Sequence, residues 1–183
     1  MAKKRFFKGT LYIAAVMVAA FGLAGCKDST KQKKEAAQES TEEADVRTGE
    51  MAPSFKLTTF SGGTFNLDEA KGSPVVVNFW ASWCGPCRLE AAEIEKSYND
   101  FKSSGVRFVG VAVQDNDADS KKFIEEFKWS LPAGPDSTGG IMKSYRIFGV
   151  PKTVVIGRDG RLSYIHTGTI TGEILAREIK KVM

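Results

Sequence analysis

Val75-Val76-Val77-Asn78-Phe79-Trp80-Ala81-Ser82-Trp83-Cys84-Gly85-Pro86-Cys87-Arg88-Leu89-Glu90 changes its period half-way along. The first six residues form an apolar, β-branched and aromatic run of the length expected for a strand buried on both faces. From Arg88 to Ser103 apolar residues return at Leu89, Ala92, Ile94, Tyr98 and Phe101, roughly helical spacing, and Gly105 reads as the helix stop. Cys84 and Cys87 therefore stand where a strand hands over to a helix. A sulfur at that junction lies among unpaired backbone N–H groups and the positive end of the helix dipole, and both favour a thiolate. In such motifs the thiol pKa falls from about 8.5 toward about 7 or below. Pro86 suits an early helical position, where its missing N–H costs nothing. Cys84, nearer the exposed turn, is read as the nucleophile, and Cys87, one turn inward, as the resolving thiol.

Three other readings of the pair compete. A structural disulfide across two intervening residues constrains the unfolded chain little and makes a poor staple. A metal site asks for further Cys or His ligands, and the single histidine, His166, falls on an expected strand. An inert reduced pair of small core residues suits an exported chain badly. No metal and no cofactor is expected.

Outward from the cysteines, the alternating stretch from Phe55 to Phe60, the turn Ser61-Gly62-Gly63 and the stretch from Thr64 to Leu67 read as a hairpin. Val106 to Val113 repeats the buried-strand pattern. Ala118 to Trp129 reads as an amphipathic helix with Phe123, Ile124 and Phe127 on its apolar face, and Gly140 to Phe148 as a second, shorter one. Thr153 to Ile156 and Leu162 to Ile165 are strands joined through Asp159-Gly160, a strong hairpin signal, and Thr171 to Val182 closes the chain as a helix. A strand, a crossover helix and a strand imply a parallel centre, to which the last hairpin adds antiparallel strands. The expected class is α/β, a mixed central sheet flanked by helices, with an added N-terminal β-hairpin.

The chain has 183 residues and a net charge of +4, but its basicity is local. Lys3, Lys4, Arg5 and Lys8 are the only charges before residue 27, and without these four the 26 Lys and Arg fall to 22, equal to the 22 Asp and Glu. A targeting segment accounts for the charge, and no nucleic-acid partner is expected. The positive head is followed by an apolar run, Thr10 to Ala24, of about 15 residues, shorter than the roughly 20 that span a bilayer. Leu23-Ala24-Gly25-Cys26 looks like the bacterial lipobox, which implies cleavage before Cys26, lipidation of its thiol and anchoring to a membrane. Cysteine arithmetic agrees, since three cysteines in an exported protein leave an odd one unless one is otherwise engaged. From Lys27 to about Glu50 the polar composition lacks aromatic residues and cannot bury enough surface to fold. It reads as a tether spanning roughly 25–30 Å. The expected organisation is a signal over 1–25, a lipidated cysteine and tether over 26–50, and one folded domain over 51–183.

The motif from Asn78 to Glu90, together with Gly149-Val150-Pro151-Lys152-Thr153, resembles the signatures of thioredoxin-like proteins, specifically the extracytoplasmic branch similar to TlpA and ResA. The resemblance implies a thioredoxin-like fold over about residues 50 to 183. It also implies a cis peptide bond at Pro151 lying against the cysteines, with the backbone of Val150 offered to a partner as a short strand. Thioredoxins proper carry a buried acid where this chain has Asn78, which cannot exchange protons; the extracytoplasmic branch places a glutamate where this chain has Glu90. Relatives usually have a helix-kinking proline where this chain has Ala92. Trp83 matches the family's exposed tryptophan and is expected to supply contact surface, whereas Trp80 is expected in the core. The family's role implies a monomeric, membrane-anchored reductase of the bacterial cell envelope. It would take electrons from a membrane thiol transporter and reduce disulfides in exported proteins such as apocytochrome c. Alternatives are an extracytoplasmic thiol oxidase or isomerase, a thiol peroxidase, and a copper-binding assembly factor that would use His166.

Overall fold

A hairpin of β1 (Lys56–Thr58) and β2 (Thr64–Asn66) stands first in the computed structural model, which describes residues 46–183. Next comes β3 (Val75–Trp80), all six of whose side chains are buried. It feeds α1 (Gly85–Phe101), which returns the chain to β4 (Arg107–Ala112), parallel to β3. After α2 (Asp117–Glu126) a short β5 (Ala133–Pro135) pairs parallel to β4. A one-turn α3 (Gly140–Ser144) precedes β6 (Lys152–Ile156) and β7 (Leu162–Thr167), an antiparallel pair laid against the other edge of β3, and α4 (Gly172–Lys180) ends the fold. The sheet order is β5-β4-β3-β6-β7, with β1 and β2 forming their own two-stranded sheet. This is the mixed α/β architecture with an N-terminal hairpin that the periodicities imply.

Strand alternation divides the core into two layers. On one face of β3, Val76 and Trp80 pack with Ala91 and Ile94 of α1, Phe123 of α2 and Leu175 and Ile179 of α4. On the other, Val75, Val77 and Phe79 pack with Leu57 and Phe65 of the hairpin and with Ile141 and Tyr145 around α3. Trp80 is fully buried, its ring centroid 4.4 Å from that of Phe123 and 5.0 Å from that of Trp129.

Several elements differ from the sequence reading. β5 is unforeseen, because Ala133-Gly134-Pro135 carries neither strand propensity nor periodicity. Glycine is needed there for contact: a Cβ on Gly134 would lie 2.2 Å from the Thr58 carbonyl oxygen. The helix expected over Gly140 to Phe148 stops at Ser144, since the chain turns at Arg146 (φ 49°) so that Ile147 is buried again. The helix expected to reach Trp129 likewise ends at Glu126, with Lys128 turned (φ 52°) and the Trp129 indole donating to the Ala91 carbonyl at 2.9 Å. On α1 the inward face is Cys87, Glu90, Ala91, Ile94, Ser97 and Phe101. Leu89 and Ala92, expected on it, are exposed, and with Ala92 in place α1 runs uninterrupted. The fold reaches back at least to Val46, which is buried, and the Gly49 amide donates to Leu162, so the folded segment starts before Met51. Cys26 and the signal lie outside the described residues. Among those residues no helix is long and apolar enough to cross a membrane.

Candidate active site

Strand β3 ends at the carboxyl edge of the sheet, where Ala81, Ser82 and Trp83 lead to the first turn of α1. Cys84 is the N-cap of that helix: its Sγ accepts the Cys87 N–H at 3.1 Å, and Pro86 occupies the first turn. The two sulfurs are joined as a disulfide. The turn itself is exposed at Trp83, Gly85 and Pro86, but both cysteines are nearly enclosed, Cys84 3% exposed and Cys87 1%. The Cys87 amide at the helix terminus points at the Cys84 sulfur, and with the positive end of the helix dipole it stabilises negative charge developing there.

The approach to Cys84 is braced by a residue that sequence reasoning missed. The carboxylate of Asp115, after β4, accepts the Ser82 N–H at 2.7 Å, the Ser82 hydroxyl at 2.8 Å and the Ser120 hydroxyl at 2.8 Å. The preceding carbonyl, that of Gln114, accepts the Trp83 indole N–H at 3.0 Å, which fixes a side chain that is 61% exposed. Arg88 pairs with Glu126 and lies over the rings of Phe123 and Phe127 at 5.8 and 5.1 Å, tying the redox turn to α2.

Beneath the disulfide lies a buried carboxyl. Glu90 is 1% exposed and sits one turn along α1 from Cys87, on the same face. Its Oε1 accepts from Asn78 Nδ2 at 2.9 Å and its Oε2 from the Ile170 N–H at 2.8 Å. Burial raises its pKa from 4.5 to about 7, against the lowering effect of those two donors. Asn78 also donates to Thr153 Oγ1 at 3.1 Å, while its own Oδ1 is buried without a partner.

Two further segments close the site. The Val150–Pro151 peptide is cis. Lys152, the first residue of β6, pairs with Phe79 of β3, and just ahead of that pairing Val150 packs against the core cluster that holds Ala81, Cys84 and Cys87. On the far side the Gly168 N–H donates to the Pro151 carbonyl at 2.9 Å. The segment between β7 and α4 folds over the redox turn, with the Thr169 hydroxyl donating to the Pro86 carbonyl at 3.5 Å. His166 Nε2 donates to the Thr169 carbonyl at 3.1 Å, and its Nδ1 shares a hydrogen bond with the Tyr164 hydroxyl at 3.0 Å. Cys84, Cys87, Glu90, Trp83, Val150 and Pro151 thus gather at one edge of the sheet. Chemically, the site holds a two-electron sulfur couple, a helix terminus that favours thiolate, and a carboxyl able to gain or lose a proton near neutrality.

Residues 48–165 match the AhpC/TSA family. The thiol-disulfide oxidoreductase ResA of Geobacillus kaustophilus is 32% identical over 142 residues, covering 78% of this chain and 82% of that protein. The thioredoxin-like protein YneN of Bacillus subtilis is 30% identical over 142 residues, covering 76% and 83%. Among solved structures, a thiol:disulfide interchange protein of the thioredoxin family from Chlorobium tepidum superposes with a TM-score of 0.68 at 28% identity, over 76% of this chain and 99% of that one.

Proposed function

The chain belongs to the AhpC/TSA family and within it to the ResA-like thiol-disulfide oxidoreductases, and from that premise we propose that it reduces disulfides in exported proteins through the dithiol of Cys84 and Cys87. The observation that supports this reading is the disulfide at the N-terminus of α1 with Glu90 buried one turn behind it. In the reduced enzyme the Cys84 thiolate attacks one sulfur of the substrate disulfide. That S–S bond breaks, the other substrate sulfur leaves as a thiolate, and a mixed disulfide forms. Glu90 as carboxylate takes the Cys87 proton. The Cys87 thiolate then attacks Cys84 Sγ and expels the second substrate sulfur, closing the intramolecular disulfide. Two electrons pass from enzyme to substrate. A carboxyl with a pKa of about 7 has both protonation states populated near neutral pH, which suits this transfer. Asn78, the side chain that donates to Glu90, has no proton to exchange.

Trp83 supplies apolar contact surface, and the Val150 backbone before cis-Pro151 offers a strand edge to the substrate chain. The Gly-Pro dipeptide between the cysteines favours the reducing direction. Cys26 is the lipid anchor that holds the enzyme to a membrane of the bacterial cell envelope, with a membrane thiol transporter as electron donor and apocytochrome c among the substrates. Val77 and Ala81, both buried, stand where the peroxidase group carries proline and threonine, which disfavours peroxide chemistry.

Replacing Cys87 in the full chain tests the substrate class. Cys87→Ala is expected to accumulate one-to-one mixed disulfides with exported proteins, reversible by dithiothreitol and abolished by adding Cys84→Ala. Trapping that survives loss of Cys84, or that captures only unrelated proteins, would refute the assignment.

A further inference from the structure

Phe148 leaves 72% of its surface in water three residues before the cis-proline. Beside it lies a depression of about 200 Å³ lined by Gly139, Met142, Lys143, Arg146, Ile147 and Phe148. Its floor is apolar and its charges have one sign. Among the described residues neither Lys143 nor Arg146 has an ion-pair partner. Arg146 also holds a left-handed backbone (φ 49°) just past the end of α3, the place where a helix usually puts glycine. The exposed aromatic, the apolar depression beside it and the two cations at its rim form one continuous patch. The adjoining cavity, about 530 Å³, shares Gly139 and Met142 but has carboxylates on its wall: Asp115, Asp117 and Asp136. The face therefore reverses sign between Phe148 and the loop that holds Trp83.

We propose that this depression is a specificity subsite for the substrate protein itself, taking the segment beside its reactive disulfide with an apolar residue against Met142 and Phe148 and an acidic residue over Lys143 and Arg146. The proposal rests on the reductase reading above and deepens it. Val150 packs against the core cluster that holds Ala81 and Cys84, and Phe148 is two residues away, within about 7 Å along the chain. A substrate strand lying along Val150 carries its neighbouring residues over the depression. The two cations attract an acidic side chain there, while the carboxylates of the next cavity repel a second one. The subsite thus selects one acid next to an apolar residue and rejects a lysine in the same place.

The full chain, reduced beforehand, is offered disulfide-linked peptides that are identical except for Asp-Leu, Asn-Leu or Lys-Leu beside the cysteine. Each kcat/KM is divided by that for uncharged hydroxyethyl disulfide, which corrects for any change in the redox couple. At low salt the Asp-Leu peptide is expected to exceed the Lys-Leu peptide by about tenfold, shrinking as salt screens the charges. Lys143→Glu combined with Arg146→Glu is expected to invert that order, and Phe148→Ser to raise KM for all three peptides. Equal ratios in the wild type, or a preference untouched by the double charge reversal, overturn the subsite. Failure to reduce hydroxyethyl disulfide at all overturns the reductase reading, and the subsite falls with it.

Discussion

Glu90 shows how one buried carboxyl links chemistry to stability. Enclosure disfavours its charge more strongly than the Ile170 amide and Asn78 favour it, so its pKa in the fold lies near 7 against 4.5 when exposed. A group raised in this way contributes stability that is fully present below about pH 4.5 and is lost as pH rises through 7. Glu90→Gln removes the titration. With both proteins in the disulfide form, urea unfolding at a series of pH values is expected to show the wild type losing on the order of 3 kcal/mol relative to the variant between pH 4.5 and 8. A difference independent of pH would contradict this account. Turning the Asn78 amide over presents its unpartnered Oδ1 to the glutamine Nε2, so the variant is expected to fold. Legibility at this scale was uneven. The two cysteines announced themselves by spacing and position. Glu90 was visible only through family resemblance, because apolar periodicity put Leu89 and Ala92 on the face that Glu90 and Ser97 share. Asp115 was not visible at all, since its partner Ser82 is 33 residues away and short acidic loops are common.

Elements with a strong period were read correctly in kind, and their ends were misplaced wherever a tertiary contact decided the matter. β3, β4 and α1 carry their own signal. α2 and α3 stop early because Trp129 and Ile147 are drawn into the core by turns at Lys128 and Arg146, and nothing in the local sequence marks those turns. β5 exists because Gly134 lets its backbone approach β1, with the Phe60 N–H donating to the Ala133 carbonyl at 2.8 Å. Gly134→Ala is therefore expected to destabilise the domain by roughly 1–3 kcal/mol, since backbone must move to admit the methyl group. Gly149→Ala, whose Cβ meets nothing within 4 Å, is expected to fall within about 0.5 kcal/mol of wild type. Equal midpoints for the two variants in urea would show that the hairpin does not depend on this contact.

At the scale of the molecule, the sheet's mixed order follows from a parallel crossover and a terminal hairpin, both legible in the sequence. What the sequence could not reveal is how four distant segments converge at one edge: the redox turn, the Gln114–Asp115 loop, the cis-proline and the Thr169–Ile170 crossing. Each is irregular, and each is positioned by hydrogen bonds between residues far apart in the chain. Together they enclose a sulfur couple whose direction of use is a matter of its potential. Equilibrating the full chain with glutathione mixtures of known ratio and quantifying the reduced fraction by thiol labelling measures that potential directly. The account predicts a midpoint near or below about −220 mV, among reducing couples, whereas a midpoint near about −120 mV, that of a strong thiol oxidant, would contradict it.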